Sequence, residues 1–390
     1  MVGDAVGVAP PGWVKMSEAC THASGELERG TVTRNRAEDP MLIYFTSGTT
    51  STPKMVERDF SYGLAHEITR RYWMTLSADD VHWTLTDTGW AKATWGLVFP
   101  PLLAGAAIIL FDGEGFDPEL HLKLIQDHKV TTFCAPPTIY RLFAQMDVSG
   151  YDLGSLRHCL GAGEPLNPEA MRAWKAATGC DVYDGYGQTE TVNIVANFPG
   201  MEIRPGSMGK PVPGLEVAIV DDDGQIADDD SVGHIAVKVT DPHPLGLFHG
   251  YFRDPEGSAR VFRKGWYFTG DTATRDSDGY FWFVGRTDDI ISSAGYRISP
   301  FEVESALIEH PAVLESAVIG KPDPLRGEIV KAIVILADGY VGSDAMTQEI
   351  QEFVKGITAP YKYPREIEYR TSLPKTISGK IRRVELREEH

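Results

Sequence analysis

Thr46-Ser47-Gly48-Thr49-Thr50-Ser51-Thr52-Pro53-Lys54 holds the densest supply of groups in this chain that could grip a phosphate. Six hydroxyl side chains, an early glycine and a closing lysine follow a short apolar run at residues 41–45 that reads as a strand. Such a loop can wrap a polyphosphate with backbone N–H groups, hydroxyls and one ammonium. A Ser/Thr turn after a strand would use the same letters. It is not a Walker loop, because the glycine before the lysine and the hydroxyl after it are both missing.

Four further stretches carry reactive or ligating groups. Gly161-Ala162-Gly163-Glu164-Pro165-Leu166 precedes a helical pattern, and its glycines let a flat ligand approach the backbone; an ordinary strand-to-helix loop reads the same way. In Asp184-Gly185-Tyr186-Gly187-Gln188-Thr189-Glu190 a ring able to stack on a base is followed by a hydroxyl and a carboxylate. Glu190 suits a magnesium ion, which takes one or two protein carboxylates and fills its shell with phosphate oxygens and water. Thr189 could donate to a neighbouring oxyanion, and a polar turn with a surface glutamate is the plainer alternative. Tyr267-Phe268-Thr269-Gly270-Asp271 sets a carboxylate just past an apolar strand, where it could accept from both hydroxyls of a ribose, and Arg286 closes the next strand. A turn and a salt bridge would employ the same pair. Leu373-Pro374-Lys375-Thr376-Ile377-Ser378-Gly379-Lys380 puts a lysine on a glycine-bearing segment. An ammonium delivered between a carboxylate and a phosphate offsets their repulsion, and such preorganised contacts are typically worth about 10² to 10³ in rate. A solvated surface lysine is the alternative.

The elements that must position these groups follow from composition and rhythm. A chain of 390 residues with 42% hydrophobic content can bury a large core and form two or more domains. A net charge of −18 argues against nucleic-acid or anionic-membrane binding, so an anionic ligand has to be held by local cations or a metal. Cys20, Cys134, Cys159 and Cys180 show no metal-type pairing, which points to a reducing interior, the cytoplasm in the first instance. No apolar run reaches membrane-spanning length. The first thirty residues are acidic and lack a signal or transit pattern; a mitochondrial location is expected instead if an N-terminal segment has been lost.

Residues 1–40 are weakly patterned, with a helical tail at 12–20. From 41 the text alternates: helix 58–72, strand 81–85, helix 96–105, buried strand 106–111, helix 118–128, strand 131–135, helix 167–178 and strand 180–183. This βα rhythm implies a largely parallel sheet covered on both faces. Past 206, strands at 215–220, 233–239, 265–269 and 280–285 separated by Asp/Gly turns predict an antiparallel region, with the acidic cluster 221–230 on a solvated hairpin. A small α+β unit follows: helices at 300–309 and 347–355, strands at 313–319 and 330–336, and a basic stretch to Arg383 that is either a solvated face or a phosphate contact.

Together and in this order, the five motifs resemble the adenylate-forming superfamily of acyl-CoA synthetases, luciferases and peptide-synthetase adenylation domains over residues 12–387. Within it the chain is similar to the medium-chain acyl-CoA synthetases. The similarity rests on Thr86-Asp87-Thr88-Gly89-Trp90, residues 185–191, Gly285-Arg286-Thr287-Asp288-Asp289-Ile290-Ile291, Gly295-Tyr296-Arg297-Ile298 and Thr358-Ala359-Pro360-Tyr361-Lys362-Tyr363-Pro364-Arg365. The resemblance implies an α/β fold: a large domain at 41–286 with mixed, mainly parallel sheets flanked by helices plus a β-rich subdomain, and a small hinged α+β domain at 287–390. It implies an ATP-dependent ligase joining a medium-chain or related carboxylic acid to coenzyme A through an acyl-adenylate, with Mg2+ as cofactor.

By the same resemblance, Thr46 to Lys54 hold the β- and γ-phosphates, Gly163, Glu164 and Pro165 with Asp184, Gly185 and Tyr186 enclose adenine, and Asp271 and Arg286 take the ribose. Gly187 and Gln188 belong to the same nucleotide-binding run. Thr189 contacts the α-phosphate or acyl carboxylate, Glu190 the magnesium, and Lys380 is the adenylation lysine. Asp288 matches the hinge. Ala294, Gly295 and Tyr296 match a pantetheine loop, Arg297 a position near the reacting acyl phosphate, and Arg326 and Lys355 coenzyme A contacts. Gly187 stands where acetate-specific relatives carry tryptophan, which leaves room for methylenes at about 0.8 kcal/mol each; Trp90 lines the same pocket or is a core tryptophan. Two departures stand out: Ser51 replaces a customary glycine, and relatives carry a long segment ahead of the phosphate loop. A chain lacking that segment is expected to expose core surface. An enzyme loading a carrier protein and a non-catalytic nucleotide-binding protein are the alternatives.

Overall fold

Short, largely buried strands alternate with helices in the first half of the chain and set up its parallel sheet. The computed structural model describes residue 21 and residues 35–389 other than 47–52, 114, 145, 165, 167 and 376–379. The helical tail expected at 12–20 therefore lies outside the described residues, as do Ser47, Gly48, Thr49, Thr50, Ser51, Thr52 and Pro165. Thr132–Ala135, His158–Ala162 and Val182–Gly187 run parallel beside Val81–Thr84 and the two-residue edge Ala107–Ile108. The first two are buried throughout, as strands covered on both faces must be. Helix Pro118–Asp127 shows the local logic: Asp117 accepts from the N–H groups of Glu119 and Leu120 at 3.1 and 3.2 Å, and Pro118 opens the first turn. Its Leu122 and Ile125 join Trp83, Phe133, Tyr140 and Trp174 in the core beneath the sheet.

After Val182–Gly187 the direction reverses. Asn193–Ala196 and Ser207–Pro211 pair antiparallel and lead into Phe281–Arg286, Trp266–Arg275, Gly233–Lys238 and Val217–Val220. The β-rich region is thus hydrogen-bonded into the parallel sheet, giving twelve strands in one sheet among the described residues. The acidic segment 221–230 is the turn of the hairpin between Val217–Val220 and Gly233–Lys238, with Asp229 paired to Arg275 at 2.6 Å.

A second sheet of five strands makes the small α+β unit. Val313–Asp323 and Gly327–Leu336 pair along their length, and the free edge of Gly327–Leu336 takes Glu366–Tyr369 in parallel at 331–334 and, at Gly327, the hairpin of Ile291–Ser293 with Tyr296–Ile298. Helices Pro300–Ile308 and Asp344–Ile357, capped by Ser299 and Ser343, bury Val303, Leu307, Ile350 and Val354 against it. On the opposite face Leu386 of the C-terminal helix Arg383–Glu388 packs with Leu373, Ala317 and Ile333.

Two expectations shift. Residues 58–72 are not one helix: Met55–Asp59 is a strand pairing with Pro40–Phe45, and the helix begins at Ser61. Val56 and Arg58 alternate inward, and the Asp59 carboxylate accepts from the Ser61 N–H and hydroxyl at 3.0 and 2.6 Å to turn the chain. That helix, Ser61–Ile68, widens into π turns at Thr69–Met74 and stops at Thr75 in the left-handed conformation. Residues 106–111 do not form a buried strand, since only Ala107–Ile108 pairs, at the sheet edge, and Leu110 is 66% exposed. Apolar surface is open nearby as well: Leu64 and Leu102 are 65% and 67% exposed on the packed helices Ser61–Ile68 and Phe99–Ala104.

Candidate active site

The carboxyl ends of the parallel strands open onto one cleft of about 790 Å³, the place where open α/β sheets bind ligands. Thr46, Lys54, Trp90, Gly163, Glu164, Asp184, Gly185, Tyr186, Gly187, Gln188, Thr189, Glu190, Asp271, Arg286, Asp288 and Lys380 all line it. Seven motif pieces spread from residue 46 to residue 380 are thereby brought to one space.

A β-bulge aims Asp271 into the cleft. In Trp266–Arg275 the register to Gly233–Lys238 shifts, so that Thr269, Gly270 and Asp271 stand opposite Ile235, with Gly270 at φ +79°. Asp271 Oδ2 accepts from the Tyr186 hydroxyl at 2.6 Å and from Gln188 Nε2 at 2.7 Å. Gln188 is held in turn by the Tyr267 hydroxyl on its Oε1 at 2.8 Å and by donation to the Thr269 carbonyl at 3.0 Å. Arg286, paired opposite Asp271 in the adjacent strand, brings Nε to 3.8 Å from Oδ1, and that charge holds its guanidinium pKa above the usual value.

Glu190 sits deeper. Its Oε1 accepts from the Tyr251 hydroxyl at 2.9 Å, and its backbone carbonyl accepts from Arg58 at 2.7 Å. Burial pushes the Glu190 carboxyl up, against the pull of the Tyr251 hydrogen bond. Lys54 lies over the Tyr251 ring, 4.7 Å from its centroid. The two ends of the hydroxyl-rich loop are tied: the Thr46 N–H donates to the Lys54 carbonyl and the Lys54 N–H to the Thr46 hydroxyl, both at 3.0 Å. Asp184 is buried and its carboxyl is pushed up to about 7, opposed by the Gly185 N–H on Oδ1 at 2.9 Å. Lys380 is the one candidate that the small unit sends into the cleft apart from the linker residue Asp288; burial lowers its ammonium pKa while Glu164, Asp271 and Glu190 hold it up.

Gly187 lines the cleft, but its lack of a side chain has a nearer cause. A Cβ there would lie 2.3 Å from the Val192 carbonyl oxygen, so the close pass of the backbone itself requires glycine. Arg297, Ala294, Gly295, Tyr296, Arg326 and Lys355 do not line the cleft. Ala294 and Gly295 form a left-handed turn at φ 50° and 86°, and the Ala294 N–H donates to the Arg326 carbonyl at 2.8 Å, which brings those two positions together. Tyr296 is half exposed and stacks on Tyr361 with centroids 4.1 Å apart, and Lys355 pairs with Glu352.

Several contributors went unread in the sequence. Lys92 lines the cleft and donates to the Ala162 carbonyl at 3.1 Å, its ammonium pKa lowered by burial. A lysine inside the apolar run Trp90-Ala91-Lys92-Ala93-Thr94-Trp95 was the available signal. Arg58, Tyr251 and Tyr267, which hold Glu190 and Gln188, lie in segments without motif character, and only the fold brings them close.

The family model for AMP-binding enzymes matches residues 5–252, and that for the AMP-binding enzyme C-terminal domain matches residues 302–380. The chain belongs to the AMP-binding enzyme family. It is 49% identical over 379 residues to the mitochondrial acyl-coenzyme A synthetase ACSM3 of Rattus norvegicus, covering 96% of this chain and 65% of that protein. The structure resembles that of the anthranilate CoA ligase AuaEII in complex with anthranoyl-AMP, with a TM-score of 0.84 at 38% identity over 92% of this chain and 68% of the other. An acyl-CoA synthetase of Brucella canis matches with a TM-score of 0.69 at 40% identity, over 99% of this chain and 70% of its own. The chain thus spans just under two thirds of the length of the curated relative. Its architecture is that of adenylate-forming enzymes: mixed parallel and antiparallel sheets flanked by helices, with a small C-terminal α+β unit.

Proposed function

We propose that this protein is an ATP-dependent acid:CoA ligase that activates a medium-chain or related carboxylic acid as its acyl-adenylate and transfers the acyl group to the thiol of coenzyme A. The convergence of Lys54, Glu190, Asp271 and Lys380 on one cleft carries the reading. Relatives named acyl-CoA synthetases support it.

A free carboxylate acylates poorly because its leaving group would be oxide. In the first step a carboxylate oxygen attacks the α-phosphorus of ATP, forming a P–O bond as the bond to pyrophosphate breaks. In the second the thiol sulfur attacks the acyl carbon, a C–S bond forms and AMP leaves. Thr46 to Lys54 grip the outer phosphates. Gly163, Glu164 and Pro165 flank the adenine together with Asp184, Gly185 and Tyr186. Asp271 and Arg286 hold the ribose; Oδ1 of Asp271 faces Arg286 while Oδ2 is fixed by Tyr186 and Gln188. Thr189 donates to the α-phosphate. Lys380 sits between reacting carboxylate and phosphate, where an ammonium stabilises the charge that develops.

Glu190 fits a magnesium ion: it is a hard oxygen donor lining the cleft on the side of Lys54, with the Tyr251 hydroxyl on Oε1. Glu190 would hold the ion with phosphate oxygens and water, and the ion would neutralise phosphate charge. Acyl-chain contact falls to Trp90, while Arg297, which does not line the cleft in this arrangement, would approach the acyl phosphate when the small unit turns. The second step needs the small unit, residues 287–390, to turn about Asp288 against residues 41–286, so that Ala294, Gly295 and Tyr296 guide the thiol arm while Arg326 and Lys355 meet the coenzyme A nucleotide. The described cysteines are free and buried, which suits a reducing compartment, cytoplasm or mitochondrial matrix.

The decisive measurement is carboxylate-dependent exchange of labelled pyrophosphate into ATP. Exchange is expected with acids of medium chain length and abolished in Lys380→Ala. No exchange with any acid in a panel running from acetate to aromatic acids refutes the ligase.

A further inference from the structure

Arg387 lies near the end of the chain, outside the cleft lining, yet its guanidinium is directed at the linker between the two units. Its NH1 donates to Asp289 Oδ1 at 2.6 Å and lies 3.3 Å from the Asp288 carbonyl oxygen. Asp289 is buried, and its other oxygen faces Arg383 NH1 at 3.7 Å. Arg383 also clasps both oxygens of the buried Glu304 at 2.7 Å, and Glu304 accepts the Val318 N–H at 2.8 Å. The packing of the C-terminal helix does not require this arrangement, because the fully buried Leu386 already anchors it to the sheet. What the two arginines add is direction: they fix a short helix against residues 288 and 289.

That helix starts three residues after Lys380. Between them the chain is held by the Lys375–Ile381 bridge and by the Arg382 N–H on the Pro374 carbonyl at 2.9 Å. The linker is itself fixed to the large sheet, with the Thr287 N–H on the Gly270 carbonyl at 3.0 Å, next to Asp271, and the Asp289 N–H on the Arg286 carbonyl at 2.9 Å. A line of contacts therefore runs from the ribose side of the cleft through the linker to the base of the lysine segment.

We infer that Arg387 is a positioning residue that locks the lysine-in arrangement: through Asp289 and the Asp288 carbonyl it ties the location of Lys380 to the conformation of the linker. This rests on the ligase reading above. A turn of the backbone at Asp288 swings its carbonyl away from Arg387, while the Arg387–Asp289 pair travels with the small unit. The contact therefore favours the first half-reaction and leaves the second free.

The test separates the half-reactions in the full chain. Arg387→Gln is expected to lower acid-dependent pyrophosphate exchange roughly 10- to 100-fold, the scale on which misplacing a reacting group by an ångström acts. Thioester formation from supplied acyl-adenylate and coenzyme A should stay within about twofold of wild type. Arg387→Lys, keeping the charge but losing the fork, should recover part of the exchange. Should Arg387→Gln melt early, Asp289→Asn must show the same split between half-reactions. Equal loss in both half-reactions, or no loss in either, overturns the inference and leaves the ligase reading intact. A wild-type chain that exchanges pyrophosphate with no acid overturns both.

Discussion

Asp184 holds a carboxyl where charge is expensive: it is buried within the parallel strand Val182–Gly187, and burial pushes its pKa up to about 7 from the ordinary 3.8. The folded chain therefore keeps this proton over a range in which the unfolded chain has lost it. Stability contributed by a group of raised pKa is full below the unfolded value and fades as pH rises through the folded one, so Asp184 costs stability progressively between about pH 4 and pH 7. Asp184→Asn should melt later than wild type at pH 8 and close to it at pH 4, with a difference of at most about 4 kcal/mol. A pH-independent difference in melting temperature would contradict this. Asp271 makes the opposite use of a carboxylate. It stays beside Arg286 with two donors on Oδ2, an acceptor set in advance for a diol. Asp271→Asn should raise the ATP Kd by about 10-fold or more, since hydrogen bonds to charged groups are worth about 1.5–3 kcal/mol. Tyr186→Phe removes one of the fixing donors and should cost less, and calorimetric titration with ATP would rank the two.

The strands and their endings explain which parts of the molecule the sequence disclosed. Parallel strands read well where their covered runs are mostly apolar, and helices Pro118–Asp127 and Pro168–Thr178 read well because proline opens them and their apolar residues recur at helical spacing. Strand ends read poorly where glycine or aspartate stood inside a strand. Residues 184–187 looked like a turn yet complete Val182–Gly187, and Trp266–Arg275 was cut at Gly270 although it continues through a bulge. Those misread ends are where the site lies, because a strand that carries a ligand must break its own pattern there. Arg58 and Asp59, which end the strand Met55–Asp59, read as the start of a helix because the inward Arg58 answers to Glu190 and Gly246, partners no local pattern reveals. Gly187 is the sharpest case. The sequence offered it as room for an acyl chain, whereas the Val192 carbonyl leaves no space for even a methyl group. Gly187→Ala should therefore destabilise the fold by about 1–3 kcal/mol and depress activity with all acids together. Trp90→Ala, by contrast, should widen the cleft and shift preference toward bulkier acids. A chain-length profile altered by Gly187→Ala with unchanged melting would restore the pocket explanation.

At the scale of the whole molecule, the proposed roles divide nucleotide binding from catalysis. The groups proposed for adenine and ribose belong to the large sheet and its loops, Thr46 and Lys54 flank the separate hairpin of Pro40–Phe45 with Met55–Asp59, and the small unit contributes Lys380 from the far end of the chain. A net charge of −18 gives no general attraction for ATP, so affinity must come from these local contacts. Binding to the folded state alone stabilises it by mass action, about 2.7 kcal/mol at a ligand concentration 100 times Kd. Two variants then separate the roles. Lys380→Ala should keep most of the ATP-dependent rise in melting temperature while losing pyrophosphate exchange. Asp271→Ala should lose most of the rise at the same ATP concentration, because it vacates the ribose acceptor and leaves Arg286 without the carboxylate opposite it. If Lys380→Ala abolishes the thermal shift and Asp271→Ala preserves it, the nucleotide is held chiefly by the small unit, and the cleft has been assigned the wrong way round.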